Sequence, residues 1–139
     1  MTAEADVLAE LRRLRVRVPQ LTGAFAARTD GVVLAADIGS TPEEAKERAE
    51  RLAALTASVL GAAAQLSGVG GQGGFRELLV RGEQGYTGVY GAGPSAVLAL
   101  LAGPRVNVGR LHLEARRAGA RVGDLIDDAL GALERPEAN

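Results

Sequence analysis

Apolar residues recur at spacings of three and four near the start of the chain, at Val7, Leu8, Leu11, Leu14 and Val18, while Asp6, Glu10, Arg13 and Arg17 fall on the opposite side. This pattern predicts an amphipathic first helix, which Pro19 ends. The period then changes. Gly23 to Arg28 and Val32 to Ala36 are short apolar runs that meet at Asp30-Gly31. That dipeptide tolerates the positive φ angles of a tight hairpin turn, so the runs predict two paired antiparallel strands. The second run does not alternate with polar residues, which predicts a central strand covered on both faces.

The cover must come from helices. In Gly39-Ser40-Thr41-Pro42-Glu43-Glu44, Thr41 is suited to cap a helix, Pro42 to its first position, and the glutamates to the positive end of its dipole. This second helix is expected to run to about Leu66, where Ser67-Gly68 and further glycines stop it. Phe75 to Arg81, Tyr86 to Tyr90 and Ser95 to Leu101 are three more strand candidates, separated by Glu83-Gln84-Gly85 and by Gly91-Ala92-Gly93-Pro94. A third helix is expected from about Val108, with Gly119 and Gly123 leaving open whether it is one element or two. The order α-β-β-α-β-β-β-α predicts an α/β sandwich of the α+β class, a five-stranded, mainly antiparallel sheet flanked by helices. A chain of 139 residues suits a single domain, expected over residues 1–134, with 135–139 a frayed polar tail.

The second helix is asymmetric. Its start holds seven charged residues, Glu43, Glu44, Lys46, Glu47, Arg48, Glu50 and Arg51, and from Leu52 to Phe75 there is none. One stripe of the uncharged part contains Leu52, Thr56, Val59, Ala63 and Leu66, and an adjacent one contains Ala53, Ala57, Leu60 and Ala64. A helix docked on a sheet needs only one stripe, so two imply two burying surfaces. Either the helix is wholly internal, or it also meets another subunit, a reading that the small residues Ala57, Gly61 and Ala64 favour. The fifteen residues from Leu52 to Leu66 are too few and too weakly apolar for a bilayer span, which takes about twenty.

Composition narrows the chemistry. A net charge of -1 argues against a general electrostatic grip on nucleic acid. With no cysteine, disulfides and thiolate metal sites are excluded and a reducing compartment is the simplest reading. The N-terminus lacks the features of a signal peptide, so a cytoplasmic location is expected, with recruitment to a membrane only through a partner. Gly68-Val69-Gly70-Gly71-Gln72-Gly73 fits G-x-G-x-x-G formally, but it follows a predicted helix and precedes a strand, the wrong order for a dinucleotide fold. His112 is the only histidine, and Glu114, two positions away, lies on another side of a helix and does not readily orient it. Asp124, Asp127 and Asp128 read as a solvated acidic face rather than a magnesium site. Arg12, Arg13, Arg15 and Arg17 form a basic cluster that Asp6 and Glu10 offset. Arg48 and Arg51 read as solvated salt-bridge partners of Glu44, Glu47 and Glu50. No catalytic residue, cofactor or metal is therefore expected, and the chain reads as one that works through a surface.

The order of elements, with the hairpin TDGVVLAAD, the helix after TPEEA, the strand GFRELLVRG and the final PRVNVGRLHLEARRAG helix, resembles the Roadblock family of dynein light chain and bacterial GTPase-regulator proteins. The resemblance covers about residues 4–130. It implies dimers in which the third strands pair and the second helices lie together. The interface would then include Ala53, Ala57, Leu60, Ala64, Phe75, Glu77 and Leu79. It also implies a small Ras-like GTPase as partner, met by the charged half of the second helix, with a sensor-kinase-like membrane protein as a further associate. A scaffold on a sensor kinase or motor complex that never touches a GTPase is the alternative, followed by a small-molecule sensor domain.

Overall fold

The chain folds as α1 (Ala3–Arg17), β1 (Leu21–Arg28), β2 (Val33–Ile38), α2 (Pro42–Val69), β3 (Glu77–Gly82), β4 (Gly85–Gly91), β5 (Ala96–Ala102) and α3 (Val108–Glu134). The structure, a computed structural model, describes residues 2–39 and 41–134, so the tail expected to fray, 135–139, lies outside the described residues. Threonines cap the first two helices. Thr2 Oγ1 accepts the Ala5 N–H at 3.2 Å and Thr41 Oγ1 accepts that of Glu44 at 3.2 Å, each satisfying one of the orphan donors of a helix start.

The strands form one antiparallel sheet in the order β2-β1-β5-β4-β3. The unbroken apolar run of β2 therefore does not mark a central strand. β2 lies at an edge, where α1 packs on one of its faces and α2 on the other, and cover on both faces is what removes the polar alternation. The central strand is β5, buried at every position but Leu101. The β1–β2 turn is also longer than a two-residue hairpin. Arg28 N–H donates to the Val32 carbonyl at 2.8 Å, Gly31 N–H donates to the Arg28 carbonyl at 2.9 Å, and Gly31 alone of the turn residues has positive φ, at 94°. This is the three-residue loop with glycine in the left-handed position.

Each face of the sheet has its own core. On one, α1 and α3 cover Ala24 and Ala26 of β1 and Ala96, Leu98, Leu100 and Ala102 of β5, with Leu11, Leu14, Leu111 and Val122 from the helices fully buried. On the other, Phe25, Ala27, Val97 and Ala99 meet only Ala49 and Ala53 of α2, with Leu52, Leu60, Phe75 and Leu78 partly buried around them.

α3 is one continuous helix, and its glycines are there for contact. A Cβ at Gly119 would lie 2.6 Å from the Gly91 carbonyl oxygen, and one at Gly123 would lie 2.7 Å from the Gly93 nitrogen. Both positions let the helix sit directly on the β4–β5 connection, and that packing outweighs roughly 1 kcal/mol of lost helix propensity at each.

Candidate functional site

All seven charged residues at the start of α2, Glu43, Glu44, Lys46, Glu47, Arg48, Glu50 and Arg51, are exposed. Arg48 and Arg51 belong to none of the ion pairs of the described residues, so the intrahelical bridges expected for them do not form. Beside this segment, an open groove of about 640 Å³ follows the free edge of β2, between Leu8 and Arg12 of α1 and Lys46 and Glu50 of α2. Arg15 closes part of that edge, pairing with the Asp37 carboxylate at 3.1 Å and reaching its main-chain carbonyl at 3.4 Å.

The rest of α2 is largely uncovered. Leu55 is 63% exposed, Val59 43%, Leu66 77% and Val69 91%. With the exposed Ala62 they recur at intervals of four, three, four and three, a straight apolar seam on a helix of 28 residues. On β3, Val80 is exposed as well. This seam shares Val59 and Leu66 with the first of the two stripes marked in the sequence and adds Leu55, Ala62 and Val69. Ala53 is fully buried against the sheet, so it has no surface to offer a second subunit, and Ala57 and Leu60 on the same stripe are half-buried. A Cβ at Gly31 would lie 3.5 Å from that of Ala57, which places this stripe over the hairpin turn. Only Ala64, further along the helix, is exposed.

The other expected interface residues divide between the faces. Phe75 packs at the border of the α2-side core, whereas Leu79 packs on the α1/α3 side. The uncharged stretch also exceeds the fifteen residues considered. α2 contains an 18-residue window of mean hydropathy 1.5, long and apolar enough by those measures to cross a membrane, with 11% of the window buried. Its docking through Ala49, Ala53 and Thr56, all buried, ties the helix to the sheet instead.

Glu77 is held by α3. Arg116 donates to it from Nε and Nη2, both at 2.8 Å, and His112 Nδ1 lies 3.3 Å from its Oε2. The Tyr90 hydroxyl is 2.8 Å from the same His112 nitrogen. Glu77 and Tyr90 are register partners on β3 and β4, while His112 and Arg116 are one turn apart on α3. The imidazole is thus oriented from the sheet and not by Glu114, which pairs with Arg117. The Arg116 hydrogen bonds hold the Glu77 carboxyl below its ordinary range, and burial, with the Glu77 charge behind it, pushes the Tyr90 phenol up to about 12. The cluster fastens the last two strands of the sheet to α3.

A second buried charge joins α1 to α3. Glu10, expected on the solvent side, is 2% exposed. Arg13 donates to it at 2.8 Å from its own helix, and Arg121 donates to its other oxygen from α3. Burial alone would raise the Glu10 pKa, but the two guanidinium groups outweigh it and the net direction is down. Among the described residues no three His, Asp or Glu side chains converge as metal ligands, and Asp124, Asp127 and Asp128 are exposed. The glycine-rich segment closes α2 and leads to β3, with Gly71 and Gly73 at positive φ.

These features sit on a helix-flanked antiparallel sheet with polar pairs locking its helices and one long helix half uncovered. The chain belongs to the Roadblock/LC7 domain family, which matches residues 7–102. The fold agrees with solved structures. "MglB with tetrameric arrangement" is 22% identical, covers 93% of this chain and 93% of that chain, and superposes with a TM-score of 0.81. The gliding protein MglB of Thermus thermophilus is 22% identical over 93% of this chain and 94% of its own, with a TM-score of 0.80. A Roadblock/LC7 domain from Streptomyces avermitilis is 25% identical over 86% of this chain and 97% of its own, with a TM-score of 0.77. No curated protein sequence matches.

Proposed function

We propose that the protein is a non-enzymatic, homodimeric regulator or adaptor of a small Ras-like GTPase in a bacterial signalling system, acting in the cytoplasm as a single domain over residues 1–134. The observation that carries this reading is the seam Leu55, Val59, Ala62, Leu66 and Val69, uncharged and exposed on the same helix whose other side is docked. An apolar face of that length in water is unfavourable, and a two-fold related copy offers a matching one. The four-three spacing suits an antiparallel helix pair, and β3, the free edge at the far side of the sheet, is available to pair with its equivalent. The tetrameric arrangement named for one MglB structure supports self-association of this fold.

In such a dimer the two copies of the charged segment from Glu43 to Arg51 lie outside the apolar contact and form one broad polar surface. That is the surface assigned to the GTPase, because charged rims set partner choice and association rate. The GTPase performs hydrolysis, and the dimer supplies no metal, cofactor or nucleophile. A membrane protein of the sensor-kinase type would reach it through the same assembly.

Sedimentation equilibrium and calorimetry test the two parts. The wild type is expected to be dimeric at about 100 micromolar, and Leu55→Glu with Leu66→Glu monomeric. A monomeric wild type overturns the dimer. Glu47→Arg with Arg51→Glu should leave the dimer intact and weaken binding to its cognate GTPase at least about tenfold. Unchanged affinity moves the site off α2. An intact dimer with no GTPase affinity at all points to the scaffold alternative.

A further inference from the structure

Where α1 ends and α3 begins, a second cavity, of about 330 Å³, opens between the two connections that cross there. Arg17, Arg105 and Arg110 line it, with Gln20, Asn107 and Val16, and no acidic side chain is among its walls. Three cations converge in a chain whose net charge is -1. Elsewhere on the same helices the arginines are neutralised: Arg13 and Arg121 by Glu10, Arg15 by Asp37, Arg116 by Glu77 and Arg117 by Glu114. Of the arginines on α1 and α3 outside this cavity, only Arg12 also lacks a carboxylate partner among the described residues. Arg17 and Arg105 make no ion pair among the described residues, and Arg110 spends only its Nε, donated to the Arg17 carbonyl at 2.8 Å.

The cavity is preformed. Gln20 is the one non-glycine among the described residues in the left-handed region, at φ 80°, a conformation that persists only where its surroundings impose it. Its carbonyl accepts the Gly103 N–H at 2.9 Å, stapling the α1–β1 turn to the β5–α3 turn. A Cβ at Gly103 would lie 2.9 Å from Gln20 Oε1, so the two turns are in close contact. Asn107 caps α3, its side-chain oxygen accepting the Arg110 N–H at 3.0 Å. Arg105 and Arg110 thereby belong to one fixed turn and line the cavity together with Arg17.

We infer that this cavity binds a phosphate group. Planar guanidinium forks match phosphate oxygens in pairs, and a doubly charged oxyanion engages three of them where a single carboxylate satisfies one. The volume suits one or two phosphoryl units and not a folded segment. Soluble phosphates and the headgroup of an anionic phospholipid share this chemistry. Val16 at the rim is 84% exposed. The inference stands independently of the GTPase reading.

Sodium pyrophosphate, titrated into the full chain at about 0.15 M salt and followed by amide chemical shifts, is the probe. Saturable shifts are expected at Gln20, Arg105, Asn107 and Arg110, with Kd below about 1 mM. Arg17→Gln with Arg105→Gln removes no side-chain hydrogen bond or ion pair found among the described residues, so the melting temperature should hold while Kd rises at least about tenfold. Vesicles of phosphatidylcholine doped with phosphatidylglycerol separate the sources. Cosedimentation that pyrophosphate competes away assigns the headgroup, and solution binding without cosedimentation assigns a soluble phosphate. Absence of both kinds of binding, or equal binding by the double variant, overturns the inference. So does a glutamate-rich peptide that shifts these amides when pyrophosphate does not, because the surface would then recognise an acidic chain.

Discussion

The two faces of the sheet are built from the same strands and finished to different degrees. One face is closed by two helices, whose buried leucines and valines interleave with β1 and β5, and which are fastened by Glu10 and by the Glu77 cluster. The other has a single helix that reaches the sheet through alanine, Ala49 and Ala53, and then turns leucines and valines outward. Small residues bring the backbone of α2 close to the strands, but they bury little area each, so this face contributes less to the stability of an isolated chain. The difference separates two tasks. The first face holds the fold together, and the second carries surface left over for a neighbour.

Truncation on each face breaks or sharpens that contrast most strongly. Leu111→Ala, at a fully buried position of the closed face, should cost about 2–5 kcal/mol in urea unfolding. Leu66→Ala, at 77% exposure, should stay within about 0.5 kcal/mol at concentrations dilute enough to keep the chain monomeric. Equal losses would show α2 to be as much a part of the core as α3.

The ionic fastening comes next. Glu10→Ala should cost about 2 kcal/mol, since Arg13 and Arg121 keep part of their guanidinium surface in water and lose less than fully buried ions would. Its folded pKa lies below the ordinary glutamate value. The contribution is therefore complete above that ordinary value and is lost as pH falls through the depressed one. Unfolding curves of wild type and variant should differ at neutral pH and draw together only at acidic pH.

The smallest effect belongs to Tyr90. A spectrophotometric titration should show a phenolate forming with a midpoint of about 12, a transition that Tyr90→Phe removes. Because the folded value is raised, the stabilisation is present below the ordinary phenol pKa, about 10, and lost as pH rises through the folded one. Tyr90→Phe itself should cost about 1 kcal/mol, the net value of one hydrogen bond. A high midpoint that survives the substitution belongs to another group.

Much of the architecture was legible from local signals. Periodicity, the Thr41-Pro42 helix start and the glycine-marked turns located all eight elements in order, with boundaries displaced by up to about three residues, as where β3 starts at Glu77 rather than Phe75 and α2 runs to Val69 rather than Leu66. Features set by distant partners were not legible. Glu10 sits on the charged side of a helical wheel, and the arginine that helps to bury it is 111 positions away. A second apolar surface on α2 was legible from its two stripes, but its course was not: Val59 and Leu66 face outward as part of it, whereas Ala53 of the other stripe is taken by the sheet. Gly119 and Gly123 carry the signature of a helix break, yet their role is to let two backbones touch.

The pairing of β1 with β5, which aligns Leu21 with Ala102 and Arg28 with Ala96, also orders events during synthesis. Every other strand pair in the sheet is a neighbour in sequence and can close as it leaves the ribosome. β1 cannot be completed until β5 emerges, so for most of translation the apolar Ala24-Phe25-Ala26-Ala27 stretch has one open edge. The nascent chain is then exposed to mispairing at its most hydrophobic hairpin, and the non-local step that closes the sheet is expected to limit the folding rate.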